Sequence, residues 1–122
     1  MHGDCNSPHQ EPLRPITLPE FSQLLRLSQR TFAVFVTAKR CPICGPAERE
    51  AEAAAVLLRP EIEIFRVDAD KEKPLVLALR LKAVPSLLVF TSGVEVMTLL
   101  GFYSRDELHT RLRSGISTEA DS

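Results

Sequence analysis

The chain has 122 residues, 15 Lys and Arg against 16 Asp and Glu, a formal net charge of −1 and 44% hydrophobic residues. That length suits one domain with its own core, and the interspersed charges mark neither a nucleic-acid nor a membrane surface. No apolar run reaches membrane-spanning length, no basic stretch leads into a secretory leader, and three cysteines are too few for a disulfide framework, so the expected location is cytoplasmic.

Residues 1–15 hold three prolines, two histidines and few apolar residues. Such a segment buries too little surface to offset its ordering entropy, so residues 1–15 are expected to be a disordered tail. Residues 115–122 read the same way, leaving one folded unit at 16–114. Pro19 opens a helical stretch in which Phe21, Leu24, Leu25 and Leu27 fall near helical spacing. Thr31 to Thr37 is a continuous apolar run with β-branched and aromatic residues, the pattern of a strand buried on both faces. A helix rich in Ala and Glu is predicted from Pro42 to Leu58, stopped by Arg59-Pro60. A strand from Glu61 to Val67 and a short helix from Pro74 to Leu81, with Leu75, Val76 and Leu79 inward, come next. Ser86–Phe90 and Val94–Leu100 form a hairpin across Thr91-Ser92-Gly93. Ser104 opens the last helix with the capping box Ser104/Glu107, Leu108 and Leu112 inward, and a Glu107–Arg111 ion pair. Strands alternating with helices and closing in a hairpin predict an α/β domain, its mixed central sheet flanked by helices on both faces.

The chemistry concentrates at Cys41-Pro42-Ile43-Cys44, between the apolar strand and the Ala-rich helix. A sulfur delivered to a helix N-terminus meets unpaired backbone N–H groups and the helix dipole, both of which favour a thiolate. A CxxC in that setting reads as a thiol–disulfide site. The other readings are two cysteines that merely pack, or half of a zinc site. Zinc commonly needs four ligands, and residues 16–114 supply no second pair, their only histidine being His109. Cys5, His2 and His9 lie together in the tail and are read as noise. No cofactor and no metal is expected. Gly45-Pro46 puts a proline too deep for the first turn of a helix capped by Cys41, so a kink or restart is expected there.

From about Ile16 to Ser114 the chain resembles the thioredoxin family. The CxxC follows the first buried strand, Val84-Pro85 stands directly before the strand Ser86-Leu87-Leu88-Val89-Phe90, Gly93 lies in the hairpin turn, and Gly101 follows the last strand. The resemblance implies a thioredoxin-like three-layer sandwich and dithiol chemistry. It also implies a cis Val84–Pro85 bond beside Cys41, exposing the backbone of Val84 to an extended substrate segment, and a glycine at 101 close to the cysteines. Five positions depart from the family pattern. Arg40 replaces the Trp before the first cysteine, and Pro42-Ile43 replaces Gly-Pro between the two. The buried Asp six residues before the first cysteine is Phe35, and its Lys partner on the next strand falls at Ile64. Two apolar residues there remove a desolvation cost together with the family's proton relay.

By the resemblance Cys41 is the exposed nucleophile and Cys44 the buried resolving thiol, with Lys39 and Arg40 either solvated loop charges or cations that favour the Cys41 thiolate. Substrate contacts fall to Val84, Pro85, Arg40 and Gly101. Glu48, four residues beyond Cys44, is either a solvated helix charge or a replacement for the missing acid. The implied partners are protein disulfides or dithiols and a reducing system, either a flavoprotein of the thioredoxin-reductase type or glutathione. No nucleic acid or membrane is expected, and the protein is expected to be a monomer. The alternatives are a redox-weak binding or folding-support module of the same fold, and a metal or cluster carrier using CxxC across a dimer.

Overall fold

In the computed structural model residues 11–121 are described, with side chains through residue 115. The elements run β1 (Arg14–Pro15), α1 (Leu18–Leu27), β2 (Thr31–Thr37), α2 (Cys44–Leu58), β3 (Glu63–Asp68), α3 (Lys73–Leu79), β4 (Ser86–Thr91), β5 (Val94–Leu100) and α4 (Arg105–Asp121). The five strands form one sheet in the order β1-β3-β2-β4-β5. β3 pairs in parallel with β1 and β2, while β2/β4 and β4/β5 are antiparallel. The sheet is therefore mixed, as the order of predicted elements implied.

The apolar run of β2 divides between two cores because successive side chains point to opposite faces. Ala33 and Phe35 join Ala47, Ala51, Ala54, Ala55 and Leu58 of α2 and Leu108 and Leu112 of α4. Phe32, Val34 and Val36 join Phe21 of α1 and Leu75 and Leu79 of α3. On that second face Phe21, Phe32, Phe65 and Phe90 meet with ring centroids 5.2–6.2 Å apart, mostly edge to face, an arrangement that suits the ring quadrupoles. Three layers result, with the sheet in the middle.

Several sequence expectations change. Residues 1–10 of the expected tail, with Cys5, His2 and His9, lie outside the described residues, but Leu13 is buried and Arg14–Pro15 pair with Phe65 and Arg66. Two paired residues carry no readable periodicity, so β1 was not predicted. At the other end α4 continues through Asp121, past the boundary expected at residue 114. Leu27, which falls near the helical spacing of Phe21, Leu24 and Leu25, is 68% exposed. α2 begins at Cys44 rather than Pro42, with Ile43 as its N-cap. Pro46 is then the third helical residue, where its missing N–H would have had no partner within the helix, so the predicted kink is unnecessary.

The turn of the hairpin uses positive φ at both Ser92 (51°) and Gly93 (80°), matching the twist of the flanking strands. A Cβ at Gly93 would stand 2.7 Å from the carbonyl oxygen of Leu25, so glycine lets the hairpin close against the end of α1.

α4 is started by the predicted capping box. Ser104 N donates to Glu107 Oε1 at 2.9 Å, and Glu107 N donates to Ser104 Oγ at 3.2 Å. Arg105 N donates to Glu50 Oε1 at 2.6 Å, tying this end to α2. Arg111 lies over the Tyr103 ring at 5.2 Å instead of in the expected contact pair, and acts on Glu107 only through its field. The hydrogen bonds from Ser104 hold the Glu107 carboxyl below its ordinary range. A carboxylate depressed on folding stabilises above its unfolded pKa, and that contribution is lost as pH falls through the folded value. At neutral pH the thermal midpoint is expected to drop in Glu107→Gln. Melts taken at successively lower pH should show the gap to the parent protein closing below the usual glutamate range.

Candidate redox site

The site lies at one end of the sheet. The register between β2 and β4 ends with Val36 beside Ser86, and that between β4 and β5 with Ser86 beside Leu100. The chain leaving β2 toward Cys41, the segment Val84–Pro85 entering β4, and Gly101 leaving β5 are thus neighbours at this end. Gly101 N donates to the Pro85 carbonyl at 2.8 Å. Pro85 is fully buried, Val84 half-buried, and the peptide between them is cis. Of the expected site residues, Val84, Pro85 and Gly101 are brought together by the sheet itself.

The approach to Cys41 is held from β3. Lys39 N donates to Asp70 Oδ2 at 2.7 Å, and Asp70 N donates to Asp68 Oδ1 at 2.9 Å. Arg40 is exposed beside the first cysteine. Pro42 and Ile43 make the turn into α2, closed by Cys44 N donating to the Cys41 carbonyl at 3.1 Å. Cys41 and Cys44 are joined as a disulfide with Cα atoms 5.3 Å apart. Cys41 is partly exposed, whereas Cys44 is 2% exposed on the buried face of α2. The two sulfurs therefore differ in access: an incoming sulfur can reach Cys41 only.

Ile43 and Phe102 are 47% and 48% exposed beside these loops. Phe102 carries no signal in the sequence, and Ile43 stands out only as an apolar residue inside the CxxC turn.

Beneath the disulfide the structure departs from expectation. β2 and β3 run in a register that sets Ala33 beside Ile64 and Phe35 beside Arg66. The strand neighbour of Phe35 is therefore a cation, and the expected replacement of a charge pair by Phe35 and Ile64 is corrected. Phe35 and Ile64 are indeed buried in the α2-side core, at 4% and 0% exposed. Arg66 sits at their edge and pairs with Glu48 of α2, Nε to Oε2 3.8 Å, both side chains about one-third exposed or less. Burial pushes the Glu48 carboxyl above its ordinary range; Arg66 opposes this, while Glu52 and Asp68 add to it.

Among the described residues no group of three or more His, Cys, Asp or Glu side chains could hold a metal ion, and no helix is long and apolar enough to cross a membrane.

Comparison with known proteins places these features in context. The thioredoxin family model matches residues 13–114. Among solved structures the chain is similar to chloroplastic thioredoxin z, whose crystal structure is described as defining a novel type-specific target recognition. The match has a TM-score of 0.76 and 17% identity, over 86% of this chain and 95% of that one. A comparison with curated protein sequences gave no match.

Proposed function

Because the chain belongs to the thioredoxin family, we propose that it is a thiol–disulfide oxidoreductase exchanging the Cys41–Cys44 dithiol and disulfide with disulfides of protein substrates. The observation that carries this reading is the unequal access of two sulfurs already within bonding reach. The Cys41 thiolate attacks a substrate disulfide and forms a mixed disulfide, releasing one substrate thiolate. Cys44 then attacks Cys41 Sγ, the second substrate sulfur leaves with its electron pair, and the protein keeps the new disulfide. The substrate gains two electrons, which the protein dithiol loses.

The neighbouring residues supply the rest of the role. The backbone of Val84, just outside β4, receives an extended substrate segment in strand fashion, while Ile43 and Phe102 offer apolar contact on either side. Pro85 and Gly101 hold that strand entrance in place through their hydrogen bond. Arg40 and the N-terminus of α2 favour the Cys41 thiolate. The reduced form is restored by a flavoprotein reductase of the thioredoxin-reductase type or by glutathione, which fits a monomer working in the cytoplasm.

A redox titration tests the proposal: equilibrate the protein in thiol–disulfide buffers of graded poise, then count alkylated cysteines by mass. The expected result is one two-electron transition in which Cys41 and Cys44 change together. Failure to form that disulfide at any poise overturns the proposal and leaves a binding module of the same fold.

A further inference from the structure

Resolution of the mixed disulfide requires Cys44 to lose a proton in a place shut off from water. Burial in apolar surroundings raises a thiol, so Cys44 needs a nearby acceptor. Other acids and the histidine among the described residues have hydrogen-bond partners of their own. Asp70 accepts from Lys39 N, and Asp68 accepts from Asp70 N. Glu50 accepts from the backbone of Arg105. His109, on α4, has its Nε2 facing Arg113 Nε at 3.5 Å.

Glu48 differs from all of these. It follows Cys44 by four residues on α2, so the two side chains lie on one face with Cβ atoms roughly 5–6 Å apart. Helical side chains lean toward the helix N-terminus, which carries the Glu48 carboxyl toward Cys44 rather than away from it. Arg66, reaching across from β3, anchors the carboxyl at the inner edge of the helix. Phe35 and Ile64 belong to the apolar core packed between this helix and the sheet.

We propose that Glu48 is the proton acceptor for Cys44, held in position by Arg66, so that the acid serving the buried thiol stands on α2 rather than on β2. The assignment rests on the dithiol reading above. In the resolving step the Cys44 S–H proton passes to a Glu48 carboxylate oxygen, directly or through one water. The Cys44–Cys41 bond forms as the bond from Cys41 to the substrate sulfur breaks. The substrate leaves as a thiolate and takes its proton from solvent or from Glu48. Run backwards, the protonated Glu48 returns the proton to Cys44 as the disulfide opens. The groups acting on the Glu48 carboxyl are Arg66 and Asp68 from β3 and Glu52 from its own helix. Its partial burial pushes the carboxyl above its ordinary range.

The test is stopped-flow reaction of the reduced full-length chain, carrying Cys5→Ser, with an aromatic disulfide that releases a coloured thiolate at each step. The first release reports attack by Cys41 and the second reports resolution by Cys44. In Glu48→Gln the second phase should slow by roughly 100-fold, the low end of the usual range for a positioned base, with the first phase unchanged. The carboxyl inflection in the pH profile of the second phase should vanish in Glu48→Gln. In Arg66→Gln it should move to higher pH, because Arg66 opposes protonation. An unchanged second phase in Glu48→Gln, or equal slowing of both phases, overturns the assignment. If the parent protein shows no second phase at all, it is the dithiol reading that falls.

Discussion

Cys41→Ser is expected to reduce disulfide exchange to the uncatalysed background, whereas Cys44→Ser should preserve the first attack and stop the protein as a covalent adduct with its substrate. The asymmetry follows from access. Cys44 is 2% exposed and lies on the inner face of α2, so a substrate sulfur has no line of approach to it. Cys41 is partly open, three residues before the helix and within reach of its unpaired N–H groups. A serine hydroxyl in its place stays protonated and cannot displace a thiolate. With Cys44 removed, the mixed disulfide on Cys41 has no internal attacker and persists until an external thiol arrives. With Cys5→Ser in both variants, non-reducing mass spectrometry after incubation with a disulfide-containing protein distinguishes the outcomes: no adduct for Cys41→Ser, one substrate chain per molecule for Cys44→Ser. Exchange at the parent rate in Cys41→Ser would remove this cysteine from the mechanism.

The features legible in the sequence are those encoded by neighbours along the chain. β2 was readable because a run of apolar residues suits a strand covered on both faces, and the structure sends its alternate residues into two cores. The Ser104/Glu107 capping box spans four residues and closes as expected. The CxxC and the Val84–Pro85 dipeptide at the head of a later strand are local motifs, and the structure brings both to one end of the sheet. What escaped depends on how distant segments meet. Whether Phe35 stands beside Ile64 or Arg66 is a matter of parallel register, and an offset of two keeps every side chain on its own face. Nothing in the hydrophobic pattern separates the two choices. The same offset hid the Glu48–Arg66 pair, since its cation had been sought at the wrong position. Helix α2 was started too early because Pro42 suits a first turn; the chain uses it in the turn before the helix instead.

Phe35→Ala is expected to lower stability by about 3–5 kcal/mol, the usual cost of deleting a buried phenyl ring. The surroundings argue for the upper part of that range. Phe35 projects from the central strand pair onto a helix face composed of Ala47, Ala51, Ala54 and Ala55. Alanines let the helix approach the sheet closely, and they have no side-chain length with which to fill a void. Leu87, Leu99 and Ile64 occupy neighbouring positions on strands fixed by their ladders, so collapse would require movement of backbone rather than rotation of a side chain. A cavity therefore remains and adds to the lost transfer free energy. For a domain with total stability on the order of 5–15 kcal/mol, that is a large share. Ile43→Ala provides the comparison: at 47% exposure it should change stability by no more than about 0.5 kcal/mol. Urea unfolding of the oxidised proteins measures both, and an unchanged slope with a shifted midpoint would assign the loss to the folded core. A Phe35→Ala midpoint close to that of Ile43→Ala would mean that α2 settles onto the sheet without the ring. In that case the Ala-rich face, rather than Phe35, sets the distance between helix and sheet.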